Sequence, residues 1–103
     1  MTYSEFWPQY LREHRAASNV ALHVAGTLLA ILVFILGVLL RSWQLALVAI
    51  LSGYAFAWIG HWIFEQNKPT ALSHPLWSFI CDLRLVGLFL TGQLKREYGR
   101  HGL

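Results

Sequence analysis

Between Gly60 and Asp82 the chain reads GHWIFEQNKPTALSHPLWSFICD, which strings His61, Glu65, Lys68, His74 and Asp82 along one stretch beside a long apolar run. Two more histidines, His14 and His23, stand nine residues apart near the N-terminus. Neutral imidazoles and carboxylates suit a divalent first-row metal, and a carboxylate beside such a metal can activate its bound water. Helical spacing gives the histidines polar neighbours. Asn19 and His23 are four apart, as are His61 and Glu65, and His74, Ser78 and Asp82 form an i, i+4, i+8 row. Neighbours so placed can take the second ring N–H of a metal-bound imidazole or be ligands themselves.

The elements that must carry these residues are greasy. The 103-residue chain is 56% hydrophobic and only 13% charged, against roughly 25% charged in ordinary soluble domains, so it has too little polar surface to coat an aqueous globule. Two runs explain the excess: residues 20–40, VALHVAGTLLAILVFILGVLL, and residues 43–64, WQLALVAILSGYAFAWIGHWIF. At about 1.5 Å per residue each covers a ~30 Å hydrocarbon core. A cleavable signal peptide is the rival reading of the first run, but that run is too long and lacks a basic segment directly before it. Only Arg41 and Ser42 separate the two spans, so they form an antiparallel hairpin. Everything else then emerges on one side, with seven of the eight basic residues: Arg12, Arg15, Lys68, Arg84, Lys95, Arg96 and Arg100. The positive-inside rule makes that side cytoplasmic.

The expected fold is therefore an all-α integral membrane protein of one domain, residues 1–103, built on a helical hairpin of two transmembrane spans. An N-terminal amphipathic helix bearing Tyr3, Phe6, Trp7, Tyr10, His14 and Ala17 on one face should lie in the interface, N-capped by Ser4. A helix over about 75–94, capped by Ser73, should pack at the cytoplasmic boundary, a third span being the alternative; the tail KREYGRHGL should fray. The net charge of +3 suits anionic headgroups, and no basic stripe with interleaved aromatics suggests nucleic acid. The single Cys81 excludes an intramolecular disulfide.

This topology brings His23, one turn into the first span, and His61, one turn from the end of the second, to the same end, with His14 and His74 flanking. His101 stands apart in the tail. A lone histidine at a membrane boundary ordinarily snorkels or touches headgroups. Four at one depth, each bordered by polar residues, point to a shared metal site, because polar groups near the bilayer are costly and tend to be functional. On one continuous helix His14 and His23 would face opposite ways, so a break is required between them, with Ser18 and Asn19 as cap residues. An ion pair with Arg84 does not account for Asp82, since residues two apart on a helix do not face each other. Trp43, Trp58, Trp62, Trp77 and Tyr54 read as aromatic-belt or packing residues.

The stretches FWPQYLREHRAASNVALHVAG and GHWIFEQNKPTALSHPLWSFICDLRLV resemble the membrane family whose fungal member is a 2-hydroxy fatty acid dioxygenase of the endoplasmic reticulum. The family pattern falls on His14, Asn19, His23, His61, Glu65, Asn67, Pro69, His74, Pro75, Trp77, Ser78 and Asp82. The resemblance implies an Fe(2+)-dependent enzyme of fatty acid α-oxidation that shortens a 2-hydroxy fatty acid by one carbon with O2. On this reading His14, His23, His61 and His74 are the metal residues, Glu65 and Asp82 the catalytic ones, and Asn19, Asn67 and Ser78 face the substrate; Lys68, by its place in the loop between His61 and His74, either attracts the substrate carboxylate or is a solvated lysine that answers anionic headgroups. An octahedral iron that takes two substrate oxygens and O2 keeps three protein ligands. Either one of the four histidines then stands off the metal, or O2 is activated without displacing a ligand. Membrane lipids are expected partners, and an oligomer is compatible with the sequence. The membrane would be the inner membrane in a bacterium or the endoplasmic reticulum in a eukaryote. A zinc-dependent lipid hydrolase using Glu65 and a non-catalytic membrane adaptor are the competing classes.

Overall fold

The computed structural model is all-helical and describes residues 1–68 and 73–103; Pro69 of the family pattern lies outside the described residues. The two apolar runs form α2, Ala17–Leu39, and α3, Trp43–Gly60, the latter prolonged by a π-helical turn over His61–Glu65. Counting that turn, each is 23 residues long and apolar enough to cross a membrane, about 34 Å at helical rise. Large apolar side chains such as Leu32, Ile35, Leu39, Leu47 and Leu51 point outward and stay exposed. Such a surface is compatible with lipid and not with water.

The hairpin closes tightly because its turn satisfies its own backbone. Arg41 adopts a left-handed conformation at φ 54°, the Ser42 N–H donates to the Gly37 carbonyl at 2.8 Å, and Ser42 Oγ accepts from the Leu45 N–H at 3.3 Å. One helix is thereby ended and the next begun within three residues. Gly37 permits the close approach: a Cβ there would sit 2.8 Å from the Ala46 nitrogen.

The N-terminal helix α1 spans Tyr3–Arg12. Its cap is Thr2 rather than Ser4; Thr2 Oγ1 accepts from the Glu5 N–H. Pro8 therefore lies in the second turn of the helix and not in the first. The break before α2 falls at residues 13–16, with Ala16 as N-cap, so Ser18 and Asn19 sit inside the first turn of α2 instead of capping it. After the segment outside the described residues comes α4, Pro75–Leu90, capped at His74 with Pro75 in its first position. At 16 residues, roughly 24 Å, α4 is too short for a span by itself. Phe6, Trp7, Tyr10 and Leu11 of α1 pack with Cys81 and Leu85 of α4 into one buried cluster, so the amphipathic helix buries its aromatic face in protein.

The expected frayed tail is instead a fifth helix, α5, Leu94–Arg100, bent 118° from α4. Two tertiary ties explain why it holds. Glu97, 6% exposed, accepts from Trp7 Nε1 at 2.9 Å and pairs with Arg84 and Arg100, while Leu94 packs on Val20, Val24 and Val86. Charge composition alone pointed to solvent; a buried acid among cations and a hydroxyl donor (below) supply the anchor.

Candidate metal centre

Two helical segments and the link before α2 bring His14, His23 and His61 together, all buried, with one potential ligand atom from each lying within 4.8 Å of the others. His14 sits in the irregular stretch between α1 and α2, His23 on the second turn of α2, and His61 where α3 becomes π-helical. Their ring centroids are 4.3–5.1 Å apart and the planes nearly perpendicular, at 80–89°. Three edges thus converge on one point.

Hydrogen bonds settle which ring nitrogens face that point. His14 Nδ1 lies 2.7 Å from the Tyr10 carbonyl and His23 Nδ1 2.9 Å from the Asn19 carbonyl. A carbonyl only accepts, so both Nδ1 atoms carry the proton and both Nε2 atoms carry a lone pair. His61 follows suit. Its Nδ1 is 2.7 Å from Asn67 Oδ1, and that amide's orientation is fixed because Asn67 Nδ2 donates to the Glu13 carbonyl at 3.2 Å. Burial, followed by the neighbouring His23 and His61 rings, holds the His14 imidazole well below its ordinary pKa, in the neutral, ligating form. Yet His14 Nε2 and His23 Nε2 stand only 3.1 Å apart. Two lone pairs at that distance repel unless a cation lies between them. For nitrogens about 2.0–2.1 Å from a common metal, separations of about 2.8–3.4 Å follow. The donor set fits a divalent first-row ion.

The polar neighbours do different jobs from those that helical spacing assigned. Glu65 does not back His61. The π-helical turn is wider than an α-helical one, and it swings Glu65 away to the start of α2, where Oε1 accepts from the Ala16 N–H at 2.6 Å and from Asn19 Nδ2 at 3.3 Å. A carboxylate at a helix N-terminus is worth up to about 2 kcal/mol when partly buried, and here it also ties the two spans together. The place expected for Glu65 is taken by Asn67, because Gln66 turns left-handed at φ 56° and folds the chain back over His61. Asn19 orients His23 through its main chain, while its side chain faces Glu65.

His74 is not in the three-histidine cluster. Its ring stacks on Trp77, 5.0 Å away and nearly parallel, and packs 5.0 Å from Phe6. Lys68 is exposed. Asp82 and Ser78 of α4 line, together with His23, a cavity of about 470 Å³ that runs between α2, α3 and α4 past Thr27, Ala30 and Gly53 to Phe34 and Ile35. The hydroxyl of Tyr10 donates to Asp82 Oδ1, and the Tyr10 ring stacks 3.9 Å from His14. Desolvation pushes the Asp82 carboxyl up to about 7, against the opposing hydrogen bond from Tyr10. In the sequence Tyr10 stands out only as part of an aromatic face. Its four-residue spacing from His14 was the available signal.

A family model described as 2-hydroxy-palmitic acid dioxygenase Mpo1-like matches residues 1–94. No curated protein matches the chain, and no solved structure does.

Proposed function

We propose, from the premise that the chain belongs to the 2-hydroxy-palmitic acid dioxygenase Mpo1-like family, that it is an iron-dependent enzyme that shortens 2-hydroxy fatty acids by one carbon with O2. The observation that carries this reading is the set of three convergent imidazoles with every Nδ1–H tied to an oxygen. Three protein ligands on an octahedral ion leave three positions, enough for a chelating 2-hydroxy acid and O2. His14, His23 and His61 would hold the iron, which when bound would supply activation of O2 and a seat for the hydroxyl and carboxylate oxygens.

The rest of the chemistry falls to the chain's own groups. The apolar cavity follows α2 from His23 to Ile35, twelve helical steps or about 18 Å, on the order of an extended palmitoyl chain. At roughly 0.8 kcal/mol per buried CH2, the tail supplies affinity and places the polar end beside the histidines. Asp82, lining the same cavity and held by Tyr10, is the group able to take or return a proton at the substrate's polar end. Ser78 lines the cavity near that end, Asn67 acts through His61 by accepting its Nδ1–H, Lys68 stays an outer cation for the carboxylate, and Glu65 serves the site by fixing the start of α2. The hydrolase alternative is the weaker reading because Glu65, its required base, is occupied at Ala16 and Asn19.

Anaerobically purified protein should hold about one iron per chain and convert 2-hydroxypalmitate, under labelled O2, to the acid one carbon shorter with label incorporated. Zinc without O2 consumption would mean a hydrolase. An unimpaired cellular action after replacement of all three histidines would mean an adaptor.

The same reading puts both termini and the metal centre on the cytoplasmic face, since Arg41 alone lies at the opposite end of the hairpin. A reporter fused after Leu103 should be active only in the cytoplasm; activity confined to the other side reverses the orientation.

A further inference from the structure

We infer that α5 is a latch on the metal centre, with Tyr98 as a positioning residue for His14; the inference rests on the reading of the three histidines as a metal site. Of the three, His23 and His61 sit on continuous helical backbone, whereas His14 lies in the stretch of residues 13–16 where neither α1 nor α2 supplies a full helical ladder. The α1 side holds it through its N–H, which donates to the Leu11 carbonyl at 3.2 Å. On the other side of the residue, the hydroxyl of Tyr98 donates to the His14 carbonyl. A ligand peptide pinned from both sides cannot rotate its ring off the point on which the imidazoles converge.

The hydroxyl is itself held in place. Glu97, the adjacent residue, is buried and bonded to Trp7 Nε1 of α1 and to Arg84 of α4, the Leu103 N–H donates to the Tyr98 carbonyl at 2.9 Å, and the Tyr98 ring packs on the cluster of Phe6, Trp7, Tyr10 and Leu11. Two functions are therefore separable in one side chain: the ring packs, and the oxygen reaches His14. Tyr98 lies beyond the residues that the family model matches, so this support for a metal ligand belongs to the chain's own C-terminal helix.

Tyr98→Phe keeps the ring and removes only the donor. In metal-free protein in detergent, titrated with Co(II), the variant should bind about tenfold more weakly than wild type, within the ten- to hundredfold range for losing a partner that orients a ligand. Its helical content should be unchanged, and its visible Co(II) band should be altered at saturation. Arg96→Gln, a change at an exposed residue of the same helix, should leave Co(II) affinity unchanged. In a His14→Ala background the same Tyr98→Phe change should have no further effect, since nothing is left for it to position. Equal affinity and an identical band in Tyr98→Phe and wild type overturn the latch, as does an equal loss with and without His14. If wild type itself binds no Co(II), the metal-site reading fails, a separate result from failure of the latch.

Discussion

His14→Ala, His23→Ala and His61→Ala should each lower metal affinity by at least about a hundredfold and abolish turnover, whereas His74→Ala and His101→Ala should keep the metal. The expectation follows from the geometry of the nitrogens. Each of the three rings presents a lone pair to a common point while its proton is committed elsewhere, so removing one leaves two ligands on an ion that a three-nitrogen site binds. Losing an outer partner of a ligand already costs ten- to hundredfold, and losing the ligand costs more. His74 stacks on Trp77 and lies outside the cluster, and His101 bonds to Glu97 at 3.3 Å. Metal content per folded chain, with circular dichroism as the check on folding, reads the outcome. Metal retained at wild-type affinity in any of the first three removes that residue from the site.

The second large effect needs no ionisable group at all. Gly60→Ala should destabilise the hairpin by about 1–3 kcal/mol, the usual range for overpacking a closed contact, and weaken metal binding with it. A Cβ at Gly60 would overlap Asn19 Oδ1 and stand 3.0 Å from Asn19 Cγ. Asn19 is fully buried, and turning it away would break its bond to Glu65. The helices would have to part where His23 and His61 face each other, one turn from Asn19 and one residue from Gly60. Gly87→Ala is the contrast, because a Cβ there meets nothing within 4 Å and alanine gains up to about 1 kcal/mol of helix propensity. Thermal unfolding in one detergent should give a lower midpoint for the first variant and an equal or higher one for the second. Equal midpoints would show that α2 and α3 can yield at this crossing without loss.

The hairpin was legible because hydropathy is additive along a chain: Val20–Leu40 and Trp43–Phe64 are each long and apolar enough to span, and a two-residue connection dictates antiparallel neighbours. The depth of His23 and His61 followed from it at once. The assignments that relied on four-residue spacing fared differently. Asn19 and His23 do lie on one α-helix, yet the partner of the ring is the main-chain carbonyl, a group that any residue at position 19 would supply. The pairing of His61 with Glu65 presumed α-helical geometry across residues that are π-helical, and a change of helix type leaves little trace in apolar periodicity. His74 was grouped with the others by expected depth alone, whereas its lateral position comes from how α1 and α4 pack, which sets its ring on Trp77 and near Phe6. The tail misled for a related reason. Its charges were counted as solvated, while Glu97 and Tyr98 find their partners ninety and eighty-four residues away.

The bond from Tyr98 to His14 also sets an order of events during synthesis. A polypeptide is made from its N-terminus, so His14, His23 and His61 are all joined to the chain before Tyr98 is. Through that interval the first-made ligand is the one still waiting for its support. Metal captured early would meet a half-fastened histidine and exchange readily. On the proposed reading, an ion arriving after Tyr98 has docked would meet all three rings fixed, so the last helix made is the one that completes the fastening of the first histidine made.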